Sequence, residues 1–283
     1  MKTLRIGLSP CPNDTFIFHA LLEGIVELEG YRLEPVFEDV ETLNTLAREG
    51  ALEITKISFH AFGYLRDTYH LLESGSALGR GCGPLVVTLQ GNEDLDLSKA
   101  RIAIPGRLTS ANLLLRLFAP KLLPGSLVEM PFDHIMEAVR KDEVDAGLII
   151  HESRFTYREY GLHQLVDLGD WWEEVHAHPI PLGGIIARRD LGTETIEQFD
   201  RALGNSVRHA RSNPGDSREF VRHHAQEIDD SVTAAHIELY VNDFTVALGR
   251  EGEAAVSHLL SVAEENGIIP ARAQSRTRET HQE

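Results

Sequence analysis

The feature that most limits how this chain can fold is the alternation of strand and helix patterns through its first two-thirds. A short apolar strand pattern at residues 4–8 precedes apolar residues that recur at three- and four-residue spacing over residues 16–25. The same succession of strand and helix patterns recurs over residues 31–50 and 52–67, and again between residues 101 and 150. A chain patterned in this way is predicted to fold as an α/β protein.

The alternating part of the chain divides into two α/β blocks. Strand patterns near residues 84–90 and 183–189 connect the second block to the first. From residue 193 to residue 266 the pattern is helical throughout, apart from a break at Pro214. The chain is therefore expected to pass from one block to the other and back, and then to finish with helices.

This organisation predicts two lobes with a cleft between them, where ligands are often bound. The larger lobe is predicted to be discontinuous and to contain residues 1–88 plus 188–270. The smaller lobe is predicted to be an insertion of residues 89–187, and the polar residues 271–283 to form a flexible tail.

Composition excludes several classes of partner. The 283 residues include 27 basic and 44 acidic side chains, and the formal net charge of −17 argues against nucleic acid or an anionic membrane as a partner. No apolar run approaches the length of a membrane span, and the first residues lack the apolar core of a signal peptide. The two cysteines, Cys11 and Cys82, are not in a CxxC pair, so we expect a cytoplasmic protein without a disulfide.

Two segments near the N-terminus carry polar groups that suit a binding site. The loop SPCPNDTF at residues 9–16 is stiffened by two prolines, and either Asn13 or Asp14 is expected to cap the following helix. It is either a rigid capped turn or a ligand loop. In TKIS at residues 55–58, Lys56 lies on the same face of the strand as Ser58. That lysine is either a cleft cation that holds a carboxylate or an ordinary charge at a sheet edge.

Two further segments contain glycine turns. GRGCGPLVV at residues 79–87 is followed by a strand and not by a helix, so it is not a dinucleotide-binding loop but a hinge or a ligand-facing loop. In IPGRLTSANLLL at residues 104–115, a turn leads into an apolar helix capped by Thr109 or Ser110. The N-terminus of such a helix binds anions through free N–H groups and its dipole, although the hydroxyl also serves as a simple cap.

A histidine follows the apolar strand pattern in AGLIIHESRFTY, residues 146–157. At this end of a strand His151 is either a core histidine with a satisfied hydrogen bond or a general base, a role that suits a group with a pKa near neutrality. The pairs His176/His178 and His223/His224 have no third ligand at a recognisable spacing, so no metal site is predicted.

Together, the motifs SPCPNDTF, TKIS, GRGCGPLV, PGRLTSA and GLIIHESRFTY, in this order and spacing, closely resemble the 1,4-dihydroxy-6-naphthoate synthases of the futalosine route to menaquinone. The resemblance covers roughly residues 3–270. It implies a two-lobed fold like that of type II periplasmic binding proteins, with a central cleft and C-terminal helices. It also implies a lyase that converts cyclic dehypoxanthinyl futalosine to 1,4-dihydroxy-6-naphthoate and releases a sugar-derived fragment, without a metal or organic cofactor.

The same resemblance implies roles for particular residues. His151 corresponds to the proposed base of the family. The substrate-binding positions that the resemblance implies are Lys56, Ile57, Ser58, Ser110 and Ala111, with Asp14 and Asn44 as further polar positions near the cleft. The carboxylate of the small-molecule substrate is expected to lie at Ser110 and Ala111.

Three other functions share this fold. A non-catalytic module that binds small carboxylates would need export or a membrane tether. The related chorismate dehydratase is disfavoured by the SPCPNDTF and IHE motifs, and the ligand-sensing domain of a regulator by the lack of a DNA-binding segment. The sequence does not determine the oligomeric state.

Overall fold

The computed structural model describes residues 1–225 and 229–272, which form two β-sheets with helices packed around them. The strands are β1 (Lys2–Leu8), β2 (Tyr31–Phe37), β3 (Ile54–Ser58), β4 (Tyr69–Leu71), β5 (Ala77–Gly79), β6 (Leu85–Leu89), β7 (Ile102–Ile104), β8 (Leu127–Glu129), β9 (Ala146–Ile149), β10 (Leu162–Asp167) and β11 (Ile180–Arg188). The α-helices are α1 (Pro12–Leu22), α2 (Val40–Arg48), α3 (Phe59–Leu65), α4 (Ser110–Phe118), α5 (Phe132–Arg140), α6 (Ser153–Thr156), α7 (Leu168–His176), α8 (Thr193–Ser212), α9 (Arg218–His224), α10 (Asp230–Tyr240), α11 (Asp243–Val246) and α12 (Gly249–Glu265).

The first sheet has the strand order β2-β1-β3-β11-β4, with β5 paired to a separate part of β11. Strand β1 is parallel to β2 and β3, whereas β11 is antiparallel to its neighbours. Residues Leu4, Ile6 and Leu8 of β1 are buried, and they belong to a core that includes Phe18 of α1 and Phe199 of α8. The C-terminal helices therefore cover the sheet that the N-terminal strands begin.

The second sheet has the order β10-β6-β9-β7-β8. Strands β7, β8 and β9 run parallel, and β6 is antiparallel to β9 and β10. Its core includes Leu113 of α4, Ile135 of α5 and Trp172 of α7, each fully buried. A side chain at Gly147 of β9 would collide with Ile135 and Val139 of α5. The glycine therefore allows α5 to lie close to the sheet.

The strand pairings correct the predicted lobe boundaries. The boundary between residues 88 and 89 falls inside β6, which pairs over its whole length with strands of the second sheet. The boundary between residues 187 and 188 falls inside β11, which belongs to the first sheet. Both strands are almost entirely buried. Their continuous apolar patterns therefore indicate a strand but not the sheet to which it belongs. The chain crosses between the sheets at residues 80–84 and again at residues 177–179, and residues 273–283 of the predicted tail lie outside the described residues.

Local differences from the predicted elements have simple causes. Residues 70–78 have the apolar pattern of one strand, but a turn at Gly75, whose φ is 87°, divides them into β4 and β5. The segment with the two tryptophans after β10 has the composition of an aromatic turn, but it forms helix α7, whose first N–H groups, those of Gly169 and Asp170, donate to the Asp167 side chain. Neither Asn13 nor Asp14 caps α1. That helix begins at Pro12, a residue well suited to the first helical position.

The helical pattern predicted for the last third is confirmed by α8 to α12. Across the two described ranges, none of the helices combines the length and the apolarity that crossing a bilayer requires.

Candidate active site in the cleft between the two sheets

A cleft with an empty volume of about 670 Å³ lies where the two sheets face each other. The elements of the first sheet contribute Ser9, Asn13, Lys56, Ile57 and Ser58, and those of the second contribute Ala111 and His151. Helix α10 closes the cleft with His236 and Tyr240.

Six of the eight residues singled out in the sequence line this cleft. They are Lys56, Ile57, Ser58, Ser110, Ala111 and His151. Asp14 and Asn44 do not line it. Each is fully buried and lies one layer behind the wall, where it contacts a residue that does line the cleft.

Asp14 is the centre of a closed hydrogen-bond network. One carboxylate oxygen lies 2.5 Å from Lys56 Nζ and accepts a hydrogen bond from Asn13 Nδ2 at 2.9 Å. The other accepts the Ser9 hydroxyl at 2.7 Å and the Ser9 backbone N–H at 3.2 Å. Lys56 is therefore not an edge charge, because it is buried and neutralised by a partner from the same lobe. We call Asp14, Lys56, Ser9 and Asn13 the Asp14 network.

Asn44 holds the end of β3 in place. Its Oδ1 accepts the Ser58 backbone N–H at 2.9 Å, and its Nδ2 donates to the Ser58 hydroxyl at 3.2 Å. Both the oxygen and the nitrogen of the amide therefore contact Ser58 on the cleft wall, and Nδ2 also donates to the Glu41 carboxylate at 3.1 Å. The contact holds Ser58 in place, and Asn44 itself does not line the cleft.

The N-terminus of α4 opens into the cleft. Thr109 is its cap, since the threonine hydroxyl accepts the Asn112 backbone N–H at 3.2 Å. The Ser110 hydroxyl is already engaged, because it accepts the Phe59 N–H at 2.9 Å and donates to the Leu182 carbonyl. The first N–H groups of a helix have no intrahelical partner, and α4 has no acidic side chain in its first turn. An anion at this site would therefore be held by backbone N–H groups and not by the serine hydroxyl.

The segment that leads into α4 also fastens the two lobes together. Besides the bonds of Ser110, the ring N–H of His60 donates to the Thr109 carbonyl at 3.2 Å. The Leu108 backbone N–H donates to the Glu41 carboxylate at 2.9 Å. His60 and Glu41 belong to helices of the first lobe, so we refer to these contacts as the α4 clasp.

His151 follows the last buried strand residues and adopts a left-handed backbone conformation with φ of 55°. This conformation is uncommon outside glycine. Its ring packs edge-on against Phe132 at 5.1 Å between centroids and stacks with His236 at 6.1 Å. Its Nδ1 lies 3.6 Å from the Cys11 Sγ. The ring is thus held from three sides at the cleft surface.

Burial lowers the pKa of His151 to about 4, because the charged imidazolium loses its hydration. The nearby Asp14 carboxylate opposes this shift and Lys56 adds to it. Burial also lowers the pKa of His236, whose Nε2–H donates to the Asn13 side-chain oxygen at 2.9 Å. Both imidazoles are consequently neutral at physiological pH, and a neutral imidazole has a lone pair with which to accept a proton.

Some residues of the site, among them His236, Tyr240 and Cys11, were not predicted from the sequence. His236 and Tyr240 lie in a helical stretch where their spacing of four residues indicates only a shared face. Cys11 was recognised as a loop residue, but its contact with His151 spans 140 positions in the chain. The described residues also place ligand-bearing atoms of Cys11, His151 and Glu152 within 4.8 Å of one another. No local pattern marks this group.

Comparison with known sequences gives a consistent result. Residues 4–265 match a family described as menaquinone biosynthesis. The chain is 52% identical to the 1,4-dihydroxy-6-naphthoate synthase of Thermus thermophilus, over 95% of this chain and 96% of that protein. It is 48% identical to the enzyme of the same name from Streptomyces coelicolor, over 95% of each chain.

Solved structures confirm the predicted fold. A protein of Archaeoglobus fulgidus is 40% identical and superposes with a TM-score of 0.88, covering 94% of this chain and 98% of that one. The alkanesulfonate-binding protein of Xanthomonas axonopodis pv. citri is only 15% identical, yet it superposes with a TM-score of 0.69 over 96% of each chain. The second likeness concerns the fold alone, which is that of periplasmic binding proteins.

Proposed function

The chain belongs to the menaquinone biosynthesis family, and on that premise we propose that it is a lyase that forms 1,4-dihydroxy-6-naphthoate in the cleft between its lobes. The substrate that we propose is cyclic dehypoxanthinyl futalosine. The observation that carries the assignment of the site is a neutral, half-buried imidazole in the same cleft as a helix N-terminus whose first turn has no acidic side chain.

His151 acts as the general base in this proposal. Its Nδ1 faces the Cys11 thiol, so Nε2 is the atom that takes the proton from the sugar-derived part of the substrate. Because burial keeps the ring neutral, the lone pair is available without prior deprotonation. Loss of this proton accompanies the breaking of carbon–carbon and carbon–oxygen bonds, and formation of the aromatic second ring drives the reaction.

The N-terminus of α4 orients the substrate. The substrate carries a benzoate-type carboxylate, and in this proposal the backbone N–H groups of Ser110 and Ala111 bind it. Lys56 contributes little net charge, since Asp14 neutralises it. The site can therefore bind an organic anion although the whole chain is strongly acidic.

Exclusion of water supports the same chemistry. The cleft walls include apolar groups such as Ile57, Ile150 and Leu182, and the α4 clasp holds the lobes together. Such an environment protects a reactive intermediate from side reactions. The two free cysteines suit a reducing compartment, and we propose that the reaction takes place in the cytoplasm.

The test is to incubate the purified protein with cyclic dehypoxanthinyl futalosine and to follow 1,4-dihydroxy-6-naphthoate by liquid chromatography and mass spectrometry. Chorismate, the substrate of the related dehydratase, is the parallel incubation. We expect the naphthoate to accumulate and chorismate to remain unchanged. Binding of the futalosine without product would instead indicate a non-catalytic module, and consumption of chorismate alone would indicate the dehydratase.

A further inference from the structure

Three side chains of different chemistry meet beside the cleft wall at His151. Cys11 precedes α1 in the first lobe, whereas His151 and Glu152 follow β9 in the second. A thiol sulfur, an imidazole nitrogen and a carboxylate oxygen from these residues all lie within 4.8 Å of one another. Cys11 and Glu152 are 5% and 7% exposed, and His151 reaches the cleft surface.

The spacing suits a tetrahedral metal ion. Zinc bonds of about 2.3 Å to sulfur and about 2.0 Å to nitrogen, at a tetrahedral angle, place these two ligand atoms about 3.5 Å apart. The Cys11 Sγ and the His151 Nδ1 are 3.6 Å apart. The carboxylate oxygen must approach by at most roughly 1.5 Å to complete a third tetrahedral edge. Two of the ligands are thus already at the distance that the metal requires.

We propose that Cys11, His151 and Glu152 bind Zn²⁺ and that the bound ion inhibits the enzyme. The thiol releases its proton to solvent as the sulfur–zinc bond forms. A thiolate and a carboxylate then balance the two positive charges of the ion, so the site is neutral in a poorly hydrated environment. The fourth coordination position takes a water molecule, as in other three-ligand zinc sites.

The inhibition follows from the chemistry of imidazole and rests on the function proposed above. A neutral imidazole has a single lone pair. If Nδ1 donates this pair to zinc, the ring proton is on Nε2, and neither nitrogen can accept a proton from the substrate. Metal binding and general-base catalysis at His151 are therefore mutually exclusive.

Cobalt(II) is the spectroscopic probe for this site. Titration of the purified, metal-free protein with Co²⁺ is expected to produce a thiolate-to-cobalt charge-transfer band that saturates at one equivalent. Cys11→Ser should abolish the band and weaken Zn²⁺ binding in calorimetry at least about tenfold, and Glu152→Gln should weaken it as well. Cys82→Ser, which changes the other free thiol, is the matched control and should keep the band.

Thermal unfolding of each variant shows whether it is folded before the titration is interpreted. Absence of the band in the unsubstituted protein, or its persistence in Cys11→Ser, would overturn the proposed site. The Glu152→Gln variant retains the size of the side chain, so loss of metal affinity in that folded variant supports coordination by the carboxylate.

Turnover provides the second measurement. Zn²⁺ should inhibit product formation reversibly, with recovery on addition of a chelator, and Cys11→Ser should lose this inhibition relative to its own metal-free rate. Unchanged or increased turnover with Zn²⁺ would refute the inhibition. The cobalt spectrum needs no turnover, so metal binding without any naphthoate formation would contradict only the proposed reaction. Naphthoate formation without metal binding would contradict only the metal site.

Discussion

The two walls of the cleft use the same kinds of polar group in opposite ways. In the first lobe, helix α1 has its own acid, Asp14, in the first turn, and that carboxylate is saturated by Lys56, Ser9 and Asn13. In the second lobe, helix α4 has no acid in its first turn, and the Cys11 thiol lies near Nδ1 of His151. The polar groups of the first wall pair with one another, so this wall is rigid. The second wall has backbone N–H groups and an imidazole nitrogen that can still bind a substrate.

The largest expected effect is on the second wall. His151→Asn should lower the turnover number about 10²- to 10⁴-fold, because the general base is lost. Asparagine tolerates the left-handed backbone at this position better than most residues, so substrate binding measured by calorimetry should change little. His163→Asn, on an exposed position of β10, is the control and should be fully active. A nearly normal rate in His151→Asn would remove this residue from the base role.

Substitutions in the first wall should change the stability of the fold. Asp14→Asn leaves the Lys56 ammonium buried without a counter-ion, and we expect a loss of about 3–5 kcal/mol in the free energy of unfolding. Urea denaturation followed by circular dichroism measures this change. Adding Lys56→Met to the Asp14→Asn variant removes the unpaired charge and should restore most of the lost stability. A single variant as stable as the unsubstituted protein would show that the Asp14 network does not stabilise the first wall.

A smaller effect is expected at the N-terminus of α4. Ala111→Pro removes one backbone N–H at a helical position where proline is tolerated, and a lost hydrogen bond to a carboxylate should weaken substrate binding about 10- to 100-fold. Calorimetry with the intact substrate measures the change. Arg250→Pro places the same residue at the second position of α12, on an exposed surface, and should leave the affinity unaltered. Equal affinities for both variants would exclude the N–H groups as the carboxylate anchor.

The smallest expected effect is that of pH near neutrality. Burial lowers the pKa of His151 to about 4, so the basic form is fully present above pH 5 and is lost only as the pH falls through about 4. The turnover number should therefore change less than about twofold between pH 8 and pH 6. A histidine with the ordinary pKa of about 6.5 would lose about fourfold over that interval. Measured pH–rate profiles distinguish the two, and an acid limb centred near pH 6.5 would mean that His151 is solvated during turnover.

The sequence predicted the local elements of the cleft better than the contacts between them. The loop at residues 9–16, the strand around Lys56, the turn before α4 and the strand ending at His151 all lie where strand and helix patterns indicated. These patterns depend on neighbours a few residues away. The sheet to which β6 belongs, the partner of Lys56 and the contact of Asn13 with His236 depend on residues tens to hundreds of positions distant. Such pairings result from tertiary packing, and a single sequence has no periodic signal for them.

The α4 clasp has a consequence for the time that molecules remain in the cleft. The hydrogen bonds of Thr109, Ser110 and Leu108 to the first lobe must break before the lobes can separate. The same helix end is the proposed anchor of the carboxylate, so the product leaves only when the hydrogen bonds of the α4 clasp break. Escape of the product can then be slower than the bond-breaking steps, as in many enzymes that close around their substrates. We expect the residence time of the naphthoate to be set by this helix end.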